Sequence, residues 1–232
     1  MNPAGSAVTF ARPDGKSAPG FAFPNEDRQA PAIVLIQEWW GVNEQIRGVA
    51  RRLVDAGYNV LIPDLYRGKI ASASDEAKHL MDDLDFPDAL FQDLAGAVDT
   101  AVHHHGKAAV MGFSMGGALT IAAAVHLQRL SAAVCFYGIP PAQLADPAQL
   151  KVPLLAHFAE LDDWCTPARV DELAAALRPV TVAHELHRYR GVHHAFFNEA
   201  RPEVYAAEAA DLAWQRTREF LGRHLGAARA AV

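Results

Sequence analysis

The sequence predicts an α/β fold: a mainly parallel central sheet with helices on both faces and an antiparallel edge at its amino-terminal end. Three observations predict it. Short apolar runs alternate with stretches of helical periodicity over most of the 232 residues, the pattern of a parallel sheet covered by helices. The opening VTFARPDGKSAPGFAFP reads instead as two short strands around a Gly/Pro-rich turn. Length and composition, 51% hydrophobic and 21% charged, suit one domain with a full core over residues 1–232.

The elements follow in order. Strands are expected at 32–37 (AIVLIQ), 58–63 (YNVLIP), 107–113 (KAAVMGF), 132–138 (AAVCFYG), 153–158 (PLLAHF) and 181–189 (TVAHELHRY). Between the first two, Ile46, Val49, Ala50, Leu53 and Val54 fall on one helical face, with Asn43 as N-cap and Gly57 as stop. Phe91, Leu94, Ala95, Val98, Ala101 and Val102 repeat that pattern after Pro87 and Asp88. A last helix is expected from about Pro202, a good first-turn residue, to Leu225, and residues 226–232 (GAARAAV) carry no packing pattern and are expected to fray. There is no internal repeat and no linker that would divide the chain.

Several function classes are disfavoured. Lys and Arg number 21 against 27 Asp and Glu, a net charge of -6, and the basic residues are scattered, so nucleic acid is not an expected partner. MNPAGSAVTFARPDGK has neither a charged start nor an apolar stretch of signal length, and no window approaches the ~20 apolar residues of a membrane helix. A cytoplasmic protein is expected. The two cysteines, Cys135 in an apolar run and Cys165 in a polar loop, write neither a disulfide framework nor a metal site.

In a parallel sheet, reacting groups collect beyond the carboxyl ends of the strands, where loops and helix N-termini converge. After KAAVMGF comes Ser114, then Met115, Gly116 and Gly117, then the helical pattern ALTIAAAVHL. This is GxSxG in a strand, turn, helix setting, where glycine is needed because the turn is too sharp for side chains at 112 and 116. The backbone N–H of Met115 would face the oxyanion formed when Ser114 attacks a carbonyl. A glycine-rich turn without chemistry is the competing reading. A serine nucleophile also needs an acid and then a histidine downstream. PLLAHF leads into AELDDWCTP, offering Asp162 and Asp163, and TVAHELHRY leads into RGVHHAFFN, offering His193 and His194.

These residues and the blocks QEWWGVN (37–43), YNVLIPDLYRG (58–68), GFSMGG (112–117) and HAFFN (194–198) resemble the dienelactone hydrolase family of the α/β-hydrolase fold, over about Val8 to Leu225. The resemblance implies Ser114, Asp162 and His194 as catalytic triad, with Asp163 as alternative acid because it precedes Pro167 by four residues. It implies Trp39 and Met115 N–H groups as oxyanion hole, and Glu38 beside the nucleophile. Two departures stand out. The prototype nucleophile is a cysteine restrained by that glutamate, whereas this chain has Ser114, which leaves the role of Glu38 open. One of the arginines that clamp the prototype's substrate carboxylate is replaced by Asn198, leaving Arg67 and Arg201 as possible substitutes.

Trp39, Trp40, Tyr66, Tyr137 and Asn198 are the expected pocket residues, and since side chains alternate along extended backbone, only one of the adjacent tryptophans is expected to face the pocket. The reading is a hydrolase of small esters or lactones acting through an acyl-enzyme, with no cofactor or metal, as a monomer or homodimer. A metal-dependent hydrolase is the first alternative, suggested by His103, His104, His105, His193 and His194, although consecutive histidines diverge and read better as a solvated helix end. A non-catalytic binding protein on the same fold is the second.

Overall fold

The computed structural model describes residues 5–226. The chain begins with an antiparallel pair, β1 (Ser6–Ala11) and β2 (Ser17–Phe23), and continues with β3 (Ala32–Ile36), α1 (Glu44–Asp55), β4 (Asn59–Pro63) and α2 (Ser74–Asp82). A continuous helical segment follows, formed by α3 (Phe86–Asp88), a π-helical stretch (Ala89–Leu94) and α4 (Ala95–His105). Then come β5 (Ala108–Phe113), α5 (Met115–His126), β6 (Ala132–Phe136), β7 (Leu154–Leu161), α6 (Pro167–Leu177), β8 (His184–His193) and α7 (Ala207–Leu225).

The eight strands form one sheet in the order β1-β2-β4-β3-β5-β6-β7-β8. β1 and β2 are antiparallel to each other, β2 is antiparallel to β4, and every pairing from β4 to β8 is parallel. β3, β5 and β6 are buried throughout because apolar layers lie on both sides. Ile33, Leu35, Met111 and Val134 face the layer with α1 and α7, while Val34, Ile36, Val110 and Ala133 face the layer with α4, α5 and α6. Each of the Ile, Leu, Val and Met side chains among these contributes roughly 1.5–3 kcal/mol by leaving water.

α1 presents Ile46, Val49, Ala50, Leu53 and Val54 to the core, and the Asn43 side chain accepts the Ile46 N–H at its start. Two elements differ from expectation. α7 begins at Ala207 rather than near Pro202, because residues 202–204 form a turn held by Val204 and Tyr205 N–H donation to the Arg201 carbonyl. The helix α2 was not foreseen: it buries only Ala77, so it has no apolar stripe to read. Residues 227–232 of the expected frayed tail lie outside the described residues.

Candidate active site

The carboxyl ends of β3, β5, β7 and β8 bring the predicted site residues together. Ser114 lies between β5 and α5 at φ 54 and ψ -114, a left-handed backbone that a non-glycine residue adopts only under constraint. That constraint is the packing of the turn. A Cβ on Gly112 would lie 2.2 Å from the Gly116 carbonyl oxygen, and one on Gly116 would lie 2.4 Å from that of Gln37. Glycine at both positions lets the strand and helix close on β3 and leaves Ser114 partly exposed at the turn's tip.

Ser114 Oγ lies 2.9 Å from His194 Nε2, and His194 Nδ1 lies 2.8 Å from Asp162 Oδ2. The other Asp162 oxygen accepts the backbone N–H groups of Trp164 at 2.7 Å and Cys165 at 2.8 Å. One oxygen therefore orients the imidazole and the other holds the loop. Burial pushes the Asp162 carboxyl up, but the His194 hydrogen bond and charge and the two amides outweigh it, and its pKa lies below the usual value. The register of β7 on β8 slips between Ala159 and Leu161, just ahead of this acid. Such an irregularity re-aims the side chains that follow it. Asp163 and His193 are both exposed; His193 Nδ1 lies 3.1 Å from the Leu161 carbonyl oxygen.

Glu38 is buried beneath this cluster. Tyr137 donates its hydroxyl to Glu38 Oε1 at 3.1 Å and Asn198 donates its amide to Oε2 at 2.9 Å. Burial raises the Glu38 pKa above the ordinary carboxyl value, opposed by the charge of His194 and by the Asn198 and Tyr137 hydrogen bonds. Tyr137 and Asn198 thus serve Glu38 instead of facing the cleft as expected. Tyr66 is also buried, its hydroxyl 3.4 Å from Met115 Sδ.

The cleft over Ser114 has a volume of about 50 Å³ and is walled by Trp39, Trp40, Met81, Trp164, Ala195 and Arg201. Both adjacent tryptophans face it, contrary to the alternation argument. β3 has already ended at Ile36, and Trp39 and Trp40 lie in a turn, their rings 5.4 Å apart in an edge-to-face contact. Arg201 reaches the mouth and pairs with Glu203 at 2.7 Å, whereas Arg67 is spent on Asp93. Trp164 and Met81 were missed from sequence. The only signal for Trp164 was a large aromatic directly after two candidate acids.

The histidine run ends α4 as expected, with His103 and His104 exposed. Among the described residues, no group of three His, Cys, Asp or Glu side chains is arranged to hold a metal. His157 shows the structural use of a histidine: it is fully buried against Tyr189 and Thr217, and burial holds its pKa well below the usual range. No described helix is long and apolar enough to cross a membrane.

A strained serine after the central strand, facing an imidazole and a carboxylate carried by later strand ends, on this strand order, defines an α/β-hydrolase. The model of the dienelactone hydrolase family matches residues 19–225, and the chain belongs to that family. By that membership it is a hydrolase of the ester and lactone class. It is 32% identical over 205 residues to protein usf of Aquifex pyrophilus, covering 84% of this chain and 89% of that one. It is 30% identical over 205 residues to an Aquifex aeolicus (strain VF5) protein named provisionally as a carboxymethylenebutenolidase, with the same coverage of 84% and 89%. A crystal structure from Klebsiella pneumoniae subsp. pneumoniae MGH 78578, named provisionally as a dienelactone hydrolase, superposes with a TM-score of 0.81 at 27% identity, covering 94% of this chain and 98% of that one.

Proposed function

We propose that the protein is a serine hydrolase that cleaves small neutral esters or lactones through an acyl-enzyme on Ser114. The observation that carries this reading is the relay of Ser114, His194 and Asp162, with contacts of 2.9 and 2.8 Å. His194 accepts the Ser114 proton as the hydroxyl oxygen attacks the carbonyl carbon. The resulting oxyanion is received by the backbone N–H groups of Met115, at the start of α5, and Trp39. His194 then protonates the departing alcohol oxygen as the C–O bond breaks. Water next attacks the acyl-serine, giving its proton to His194, and collapse of that second intermediate releases the acid and returns the proton to Ser114.

Glu38 already has both oxygens engaged by Tyr137 and Asn198, so its role in this reading is to brace the loop that presents the Trp39 N–H. Arg201 is paired at the mouth, and among the described residues no other arginine lines the cleft, which favours uncharged substrates. Turnover of a short-chain nitrophenyl ester by wild type and Ser114→Ala tests the reading. The variant is expected to lose at least about 10³-fold in kcat. Survival of wild-type turnover would reject it. Loss of wild-type turnover on dialysis against a chelator would favour the metal-dependent alternative.

A further inference from the structure

We propose that Trp164 is a specificity-determining wall that stacks a planar aromatic group in the alcohol part of a short-acyl ester, selecting aromatic over saturated substrates of equal size. This deepens the hydrolase reading and rests on it.

The cleft is small, with a volume of about 50 Å³. A short acyl chain fills that space once Ser114 has reached the carbonyl, and the alcohol part must then extend outward over the rim. Three of the chain's 4 tryptophans meet there: Trp39, Trp40 and Trp164. Trp164 contacts Trp39 edge-to-face at 5.7 Å and lies 6.3 Å from the His194 ring, yet is 52% exposed. A large aromatic kept half in water beside reacting groups offers apolar area that only a ligand covers.

Its position is also fixed in advance. The Trp164 N–H donates to Asp162 at 2.7 Å, and its carbonyl oxygen accepts from Arg169 Nη1 at 2.8 Å. The same carboxylate that orients His194 therefore registers the backbone that carries this ring against the reacting centre, so stacking costs little ordering of the loop. Arg201, set over Trp40, has its charge offset by Glu203 at the rim, which suits an uncharged ring.

Benzyl acetate and cyclohexylmethyl acetate test the proposal, because they match in carbon skeleton and closely in leaving-group basicity and differ in ring planarity. Wild type is expected to favour the benzyl ester by about three- to ten-fold in kcat/KM, carried by KM. Trp164→Leu keeps apolar bulk without the ring and is expected to bring the ratio to about one, while Trp164→Phe keeps most of it. The ratio is unaffected by any general loss of activity from a disturbed Asp162 loop. A wild-type ratio near one, or a ratio unchanged in Trp164→Leu, overturns the proposal. Benzyl acetate turnover that persists in Ser114→Ala instead overturns the nucleophile assignment, whatever the ratio shows. Should neither ester turn over, tryptophan-fluorescence titration with benzyl alcohol and cyclohexylmethanol gives the same comparison: tighter benzyl binding lost in Trp164→Leu supports the proposal, and equal binding overturns it.

Discussion

Asp162 and Asp163 are neighbours with opposite surroundings, one buried against His194 and the other exposed. Asp162→Asn is expected to lower kcat on the order of 10³- to 10⁴-fold with little change in KM, and Asp163→Asn to leave kcat within about two-fold. Equal losses would deny the assignment. Glu38 makes a separate prediction about pH. Its carboxyl is buried and its folded pKa is raised, so its favourable contribution is complete below the unfolded value and is lost as pH rises through the folded one. The Tm of Glu38→Gln relative to wild type is therefore expected to increase with pH above the ordinary glutamate range; a constant or falling difference would show that Glu38 is not held as described. At this scale the grouping of Ser114, Asp162 and His194 proposed as the triad was legible, because Ser114, the acid and the histidine each follow a strand of their own. The choice between the two acids was less so: it turns on the slip between Ala159 and Leu161, which spacing does not encode.

The turn from β5 to α5 is the element on which the geometry depends. In Gly116→Ala the new methyl would stand 2.4 Å from the Gln37 carbonyl oxygen and 2.7 Å from that of Ile36, both backbone atoms with little freedom to retreat. The turn must shift, and since a displacement of about 1 Å costs on the order of 10²-fold, kcat/KM is expected to fall at least that far while circular dichroism stays that of a folded α/β protein. Near wild-type kinetics would show that the tight approach of β3 is not needed. Strands and amphipathic helices were readable because burial imposes a period. α2 was not, with one buried residue in nine, and the start of α7 was displaced because a turn captured Pro202.

For the molecule as a whole, the fold and the grouping of the proposed triad follow from strand order, but the cleft does not. Its walls come from the loop after β3, from α2, from the loop after β7 and from the segment beyond β8. Trp40, Trp164, Met81 and Arg201 are far apart in sequence and meet only when all four are placed. Tyr66, Tyr137 and Asn198 likewise follow strand ends and were reasonable candidates, yet convergence buried them behind the cleft. The most direct test of Ser114 as the nucleophile is covalent labelling with a fluorophosphonate read by intact mass and peptide mapping. Wild type is expected to gain one adduct, on the peptide carrying Ser114, and Ser114→Ala none. An unlabelled wild-type protein, or an adduct that persists in Ser114→Ala, would contradict the account.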